Sequence, residues 1–180
     1  MDLASIHSGW LVVLWFGLVG LCIGSFANVV FYRLPIMLKL GEHADGSQLQ
    51  KLTAKHGKFN LSLPRSTCPC CDARIKFRQN IPVLSWVLLR GRCASCAAPI
   101  PKMYPAVELL FGLAFAAYVW TEGLSPVGLL TLPIMLVGYC LFTIYLQTKQ
   151  VAMPLALLWV GLTVLQWVPA FMAYGAHAQQ

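Results

Sequence analysis

The stretch GWLVVLWFGLVGLCIGSFANVVF, residues 9–31, is the first long apolar segment of the chain, and Tyr32 and Arg33 close it. About 20 consecutive apolar residues are enough to cross the hydrocarbon core of a bilayer as a helix. Asp2 and His7 are the only ionisable side chains ahead of the segment, which therefore lacks the basic n-region of a signal peptide. We expect residues 9–31 to form a retained transmembrane helix.

The composition of the whole chain indicates a membrane protein. Of its 180 residues, 58% are hydrophobic and 11% are charged, whereas an ordinary soluble domain has about 25% charged residues. Three further apolar segments lie at about residues 105–120, 124–146 and 151–172, the middle one starting late or kinked near Pro126 and Pro133. The sequence predicts an all-α polytopic membrane protein with about four transmembrane helices.

The basic residues are concentrated between the first two apolar segments. The net charge is +7, and 12 of the 13 Lys and Arg lie between Arg33 and Lys102, with Lys149 outside. The positive-inside rule places this region in the cytoplasm and both termini on the other side of the membrane. Anionic lipid headgroups account for part of the charge. Nucleic-acid binding is disfavoured, because the aromatic residues are not interleaved with the charges as a stacking platform requires.

The cytoplasmic insert carries two Cys-x-x-Cys knuckles, Cys68-Pro-Cys-Cys71 and Cys93-Ala-Ser-Cys96. Their C-x2-C-x21-C-x2-C arrangement offers the four thiolates of a tetrahedral zinc, two from each tight turn. A cytoplasmic location agrees with this, since thiols stay reduced there. Cys70 could replace Cys71 as a ligand, although the two-residue spacing favours Cys71. Four sulfurs leave zinc no position for water, so we interpret the predicted site as structural.

We divide the chain into a first transmembrane helix, residues 1–33, a zinc-binding insert, residues 34–103, and a membrane domain of about three helices, residues 104–180. The early part of the insert, residues 39–63, is polar, and we expect it to be weakly ordered or loosely helical. Short strands or turns are expected around the knuckles, with a brief apolar helix near residues 84–89. So small a module needs its metal to stabilise the fold.

Several polar or thiol side chains allow more than one interpretation. For Asn28, at the cytoplasmic end of the first helix, an interhelical hydrogen bond is favoured over a role in chemistry. For Glu108, in the first turn of the second helix, pairing with a loop arginine is favoured over a substrate or cofactor contact. Cys22 and Cys140 are expected to pack as small apolar side chains. The histidines, all expected to be solvated and not ligands, are His7, His43, His56 and His177.

Motifs between Gly24 and Gly112 resemble those of a known family. The segment GSFANVVFYRLP, residues 24–35, resembles the GSFxNVxxxRLP signature of bacterial prepilin peptidases, the bifunctional leader peptidases and N-methyltransferases of type IV pilus and type II secretion systems. The resemblance covers about half of the chain. It continues through CPCC at 68–71, NIPVLSW at 80–86, LRGRC at 89–93, API at 98–100 and YPAVELL at 104–110.

The resemblance implies a multi-pass protein of the bacterial inner membrane whose cytoplasmic zinc module meets a prepilin or pseudopilin at the membrane face. In that family, the peptidase part cuts a basic leader after a glycine with two aspartates, one activating water as a base while the other stays protonated. The methyltransferase activity then modifies the new N-terminal amine from S-adenosylmethionine. By resemblance, Gly91 and Arg92 belong to the part associated with methylation.

The chain departs from the family at the peptidase residues. Tyr145 stands where the first catalytic aspartate is expected, and a phenol with a pKa of about 10 cannot replace a carboxylate that must be ionised near neutral pH. The second aspartate belongs to a G-x-G-D motif on a later helix, which we do not expect because the sequence stops at Gln180. The last 58 residues contain no Asp or Glu. We therefore expect both catalytic aspartates to be missing.

Three functional interpretations remain. In the first, the chain is an enzyme reduced to methyl transfer, or one half of a split peptidase. In the second, it is a noncatalytic relative that binds prepilins or assembly-platform proteins. In the third, it is a zinc module with a membrane anchor and no link to pilins. The extent of the resemblance argues against the third. The first two are not separated, because no glycine-rich cofactor loop marks a methyl-donor site. In either case we expect no leader cleavage by the chain itself.

Overall fold

The computed structural model describes the backbone of residues 9–177 and the side chains of residues 9–125 and 128–168. This part of the chain is helical, and its only β-type pairings are two isolated bridges. Two short 3-10 turns, Gly41–His43 and Phe77–Asn80, accompany the α-helices. The helices are α1 (Trp10–Met37), α2 (Ser47–His56), α3 (Leu84–Leu88), α4 (Met103–Glu122), α5 (Pro126–Leu129), α6 (Thr131–Thr148) and α7 (Met153–His177).

Three helices, α1, α4 and α6, are long and apolar enough to cross a membrane, and α7 contributes a shorter apolar stretch, Met153–Val168. The prediction of an all-α polytopic membrane protein is confirmed. The expected helix over residues 124–146 is divided into α5 and α6. Pro126 and Pro133 each lie in the first turn of one of these helices, where proline is tolerated because its missing N–H would have no intrahelical partner.

The first helix is longer than expected and runs six residues past Phe31, to Met37. Pro35 lies inside its last turn, where it removes the hydrogen bond to the carbonyl of Phe31. Pro35 and Ile36 are fully buried, so packing offsets this loss. The extension carries the end of α1, directly after Arg33, into the insert.

The packing of α1 against α4 is the main helix contact of the fold. A Cβ atom on Gly24 would lie 2.8 Å from the Cα of Glu108, and one on Gly20 would overlap the carbonyl oxygen of Phe111. Small residues at such positions let two transmembrane backbones approach closely. The core that forms around this contact consists of Ala27, Val30, Val107, Phe111, Phe115, Leu132 and Cys140.

The helices α6 and α7 join this pair through an aromatic contact and a polar one. The ring of Tyr139 in α6 meets Phe111 of α4 edge-on, with 5.1 Å between the ring centroids. At the other end of α4, the hydroxyl groups of Tyr118 and Thr131 are 3.1 Å apart, and the side-chain amide of Gln166 donates to the same threonine oxygen at 2.9 Å. Hydrogen bonds of this kind tie membrane helices together.

The insert between α1 and α4 agrees with expectation in both of its parts. Residues 39–63 were expected to be weakly ordered or loosely helical, and the helix α2 within them supports the helical alternative. Around the knuckles, the short bridges pair Thr67 with Arg74 and Arg92 with Pro99. The brief apolar helix predicted near residues 84–89 is α3.

The close α1–α4 contact predicts that Gly20→Ala destabilises the protein by about 1–3 kcal/mol, because the added methyl group meets backbone atoms that cannot move independently. The matched control is Gly17→Ala, whose Cβ would lie 3.5 Å from the Cβ of Ala116, an ordinary contact. Thermal unfolding in detergent, followed by circular dichroism, measures both. Equal stability of the two variants would contradict the close contact.

Candidate metal centre and its junction with the membrane helices

The structure brings the four predicted knuckle cysteines together. The Sγ atoms of Cys68, Cys71, Cys93 and Cys96 all lie within 4.8 Å of one another, and those of Cys68 and Cys96 are 3.8 Å apart. A tetrahedral zinc with sulfur ligands requires sulfur atoms about 3.8 Å apart, given the usual zinc–sulfur bond length. The donor set therefore fits zinc. Cys70 is exposed and lies outside this group.

The two knuckles have the same backbone structure. In the first, the N–H of Cys68 donates to the carbonyl of Ala73 at 3.0 Å, and in the second, the N–H of Cys93 donates to Ala98 at 2.8 Å. In both knuckles, therefore, the acceptor lies five residues after the first cysteine. Each turn thus presents its two sulfur atoms in the same way.

The residue four positions after the first cysteine of each knuckle has a left-handed backbone. These residues are Asp72, with φ of 54°, and Ala97, with φ of 57°. Each donates its N–H back to the carbonyl of the first cysteine, at 2.9 Å in both cases. This conformation is uncommon for residues other than glycine, so its occurrence at both positions indicates that the turn geometry imposes it.

The four thiols have unequal acidity. The N–H groups of Cys96 and then Ser95 lower the pKa of Cys93 to about 6. For Cys96, the N–H of Ala98 lowers the pKa, but the sulfurs of Cys71, Cys93 and Cys68 together with burial raise it to about 12. Four thiolates side by side repel one another, so a cation of high charge is what would allow all of them to ionise.

Gly91 is fixed by the contacts that shape the second knuckle. It is buried with φ of +68°, and a Cβ there would lie 2.8 Å from the indole of Trp86. Its N–H donates to the carbonyl of Trp86 and its carbonyl accepts from Ile100, while the indole N–H of Trp86 donates to Ile100. The position therefore requires glycine for structural reasons. The next residue, Arg92, is exposed.

Glu108 has a different partner from the expected one. Its carboxylate accepts a hydrogen bond from the backbone N–H of Val83 at 2.7 Å, with no arginine paired to it among the described residues, and the residue is 8% exposed. The expectation of an arginine partner is wrong. The partly buried backbone N–H of Val83 needs an acceptor, and the carboxylate of Glu108 supplies it.

The backbone that Glu108 binds is strained. Val83 has φ of 60° and ψ of −51°, and the N–H of Leu84 donates to the carbonyl of Pro82 at 2.6 Å. This is the classic γ-turn, which is rare, and a left-handed backbone is a genuine outlier for a β-branched residue. Glu108 of α4 therefore holds the strained turn from which α3 begins.

Arg33 attaches the end of α1 to the insert, a role that we did not predict. Its guanidinium donates to the carbonyls of Asn60 at 2.8 Å and Pro64 at 2.7 Å, and lies 5.6 Å from the ring centre of Phe59. Arg33 is buried. The only sequence signal for it is its place at the end of the first apolar segment, where we interpreted it as one of the basic residues facing the cytoplasm.

The structure also resolves the other polar and thiol positions. The side-chain amide of Asn28 donates to the carbonyl of Tyr104 at 3.2 Å, which confirms the predicted interhelical hydrogen bond. Cys140 is buried as expected, whereas Cys22 is exposed. The expectation for Cys22 is wrong, because it lies two residues from Gly20, away from the stripe that meets α4.

The expectation of solvated histidines is confirmed for His56 and wrong for His43. The side chain of His43 is only 13% exposed, and its Nε2 lies 3.6 Å from the carboxylate of Glu42. His7 and the side chain of His177 lie outside the described residues.

Tyr145 lies near the end of α6 and is 46% exposed. The connection that follows α6 touches the insert, since the side chain of Gln150 accepts a hydrogen bond from the N–H of Gly41 at 3.1 Å. A Cβ on Gly41 would lie 3.1 Å from Thr148. The position at which the resemblance predicts a catalytic aspartate is therefore at the same side of the helices as the insert, and a phenol occupies it.

The fold and the cysteine cluster define the chain as a polytopic helical membrane protein with a four-cysteine module able to hold a metal ion. The family described as the Bacterial Peptidase A24 N-terminal domain matches residues 18–122. The chain therefore belongs to the prepilin peptidase family, as the motifs of the N-terminal part predict.

Curated relatives agree with this membership. The prepilin leader peptidase/N-methyltransferase of Stutzerimonas stutzeri is 39% identical over 150 residues, which is 81% of this chain and 52% of that protein. The enzyme of the same name from Neisseria gonorrhoeae is 40% identical over 152 residues, 80% of this chain and 52% of that protein. A type 4 prepilin-like proteins leader peptide-processing enzyme of Escherichia coli is 41% identical over 152 residues, 79% and 53% respectively.

The chain spans about half the length of these relatives. No solved structure matches it significantly.

The contact between Glu108 and Val83 predicts different outcomes for two substitutions. Glu108→Ala leaves the Val83 N–H without an acceptor, which costs about 1–3 kcal/mol, so amide hydrogen exchange over residues 81–88 should become at least about fivefold faster. Glu108→Gln keeps an oxygen acceptor and should stay close to the unsubstituted protein. Equal exchange in both variants would show that the carboxyl group does not hold the turn.

Proposed function

We propose that this chain is a prepilin-peptidase-family protein of a bacterial inner membrane that engages prepilins or pseudopilins without cleaving their leaders by itself. The observation that carries the proposal is the tyrosine, Tyr145, at the position where the resemblance predicts the first catalytic aspartate. Aspartyl chemistry needs one ionised and one protonated carboxyl group. Family membership and the names of the relatives support prepilins as the ligands.

We propose the topology and division predicted above, with residues 34–103 as a cytoplasmic insert between a first transmembrane helix, 1–33, and a membrane domain, 104–180. The clustering of basic residues between α1 and α4 supports the cytoplasmic side. Four reduced thiols in one cluster support the same compartment.

Zinc is the metal that the four-thiol cluster fits best, and we propose Cys68, Cys71, Cys93 and Cys96 as its ligands. Zinc would hold the two knuckles together, with no open position at which a substrate or water could bind. Its proposed contribution is structural. It would give the insert a fixed surface beside the membrane helices.

Methyl transfer from S-adenosylmethionine is the activity that we propose the chain retains. The relatives include N-methyltransferases by name. Gly91 and Arg92, the residues associated with methylation by resemblance, lie directly before Cys93 in the second knuckle, with Arg92 exposed. Arg92 is thus free to meet an anionic or polar group of a ligand, while Gly91 sets the backbone that presents it.

A noncatalytic role is the second candidate, and Tyr145 at the position of the expected aspartate supports it equally. In that case the chain binds a prepilin or an assembly-platform protein, or acts beside a second chain that supplies the carboxylates. The two candidates share the same ligand class and differ in whether a methyl group is transferred.

Metal analysis tests the proposed site. The purified chain should hold a single zinc ion, and Cys93→Ser, Cys96→Ser should lose it because only two of the four sulfurs remain. The matched control is Cys70→Ser, which removes an exposed thiol outside the cluster and should keep the zinc. Undiminished zinc in the double variant would refute these ligands.

An assay that scores cleavage and methylation separately tests the proposed activity. With intact prepilin, the chain should release no leader peptide; with precleaved prepilin and labelled S-adenosylmethionine, it should transfer the label. Arg92→Gln should lower the transfer, whereas Arg74→Gln, an exposed arginine beside the first knuckle, should not. Leader release by the chain alone would overturn the proposal. Binding of prepilin without methylation would favour the noncatalytic candidate.

A further inference from the structure

The insert exposes an apolar face that no described part of the chain covers. It is formed by Phe77 of the second 3-10 turn and by Leu84, Val87 and Leu88 of α3, and the two elements contact each other. Phe77 is 87% exposed and Leu88 is 70% exposed. Large apolar side chains grouped in this way are typical of an interaction surface and not of a surface that faces water.

The sequence on both sides of the apolar face carries charge of one sign. Residues 73–107 contain six basic residues and no acidic one. Asp72, the nearest acidic residue before this range, already pairs with Lys55 of α2 at 3.0 Å. None of the six basic side chains is paired with a carboxylate within the described residues. They are Arg74, Lys76, Arg78, Arg90, Arg92 and Lys102.

The position of α3 relative to the membrane helices is set by Glu108. This residue lies five positions after the start of α4, about 7.5 Å along a helix that can span the membrane. Its carboxylate holds Val83, directly before α3. The apolar face is therefore at the level where α4 would enter the bilayer, a depth at which lipid surrounds a helix.

We propose that the apolar face, Phe77 with Leu84, Val87 and Leu88, lies in the interfacial layer of an anionic bilayer and anchors the cysteine module to it. A short helix with apolar side chains on one face and basic residues around it is the usual form of such a contact. Each lysine or arginine near an anionic surface strengthens the contact. The proposal depends on the membrane position of α4 and does not depend on peptidase or methyltransferase activity.

The proposal is tested with the full chain in lipid nanodiscs. An environment-sensitive fluorescent amino acid is introduced by codon suppression at Leu88, and in a matched control at Ala54, an exposed position of α2. In discs that contain phosphatidylglycerol, the label at 88 should be shielded from acrylamide and quenched by brominated acyl chains. The label at 54 should show the reverse.

Two further measurements separate the apolar and electrostatic contributions. Lys76→Gln, Arg78→Gln should lower the ratio of membrane-bound to exposed label, by about fivefold for each residue removed. Discs of phosphatidylcholine alone should lower it as well. A second label position, Phe77, repeats the measurement in case labelling at Leu88 disturbs folding, which the metal content and circular dichroism report.

Acrylamide quenching at positions 88 and 77 as strong as at 54 would overturn the proposal. So would shielding that appears only after a prepilin peptide is added, since the face would then be a protein-binding surface. Equal shielding with and without phosphatidylglycerol would overturn the requirement for an anionic bilayer.

Discussion

The close approach of α1 and α4 is the constraint on which the rest of the structure depends. Gly20 and Gly24 let the two backbones touch, and this brings the C-terminal part of α1 close to the N-terminal part of α4. Asn28 donates a hydrogen bond to the backbone of α4, and Glu108 accepts one from the N–H of Val83. Arg33 donates to backbone carbonyls within residues 60–64 of the insert. The contact between Asn28 and Tyr104 would not form if bulkier residues held α1 and α4 apart.

The parts of the structure that follow from local composition were predictable from the sequence. Long apolar runs specify membrane helices, since length and hydropathy alone decide whether a segment can cross a bilayer. The spacing of two short knuckles specifies a four-thiol cluster, because each pair of sulfurs comes from one turn. Membership of the prepilin peptidase family followed from motifs that run from Gly24 to Gly112.

The parts that depend on the path of the backbone were not predictable. Glu108 was expected to meet an arginine, because charges are visible in a sequence and strained N–H groups are not. Arg33 was interpreted as a charge facing the cytoplasm, yet it binds carbonyls of a segment about 30 residues away. The extension of α1 past Pro35 depends on where the proline falls within a turn, whereas the break between α5 and α6 was expected near Pro126 and Pro133.

The contact between Glu108 and Val83 has a mechanical consequence for α3. The N-terminal end of this short helix is attached to α4, because the carboxylate of Glu108 accepts from Val83. Its C-terminal end leads through Gly91 into the second knuckle, which a bound metal would join to the first. Because α3 is attached at both ends, its orientation is restricted. The 21 residues between the knuckles therefore lose most of their loop-closure entropy when the protein folds, before any ligand binds. A binding partner of α3 would therefore contact a surface whose orientation relative to the membrane helices is fixed. Little of the binding free energy would be lost in ordering that surface.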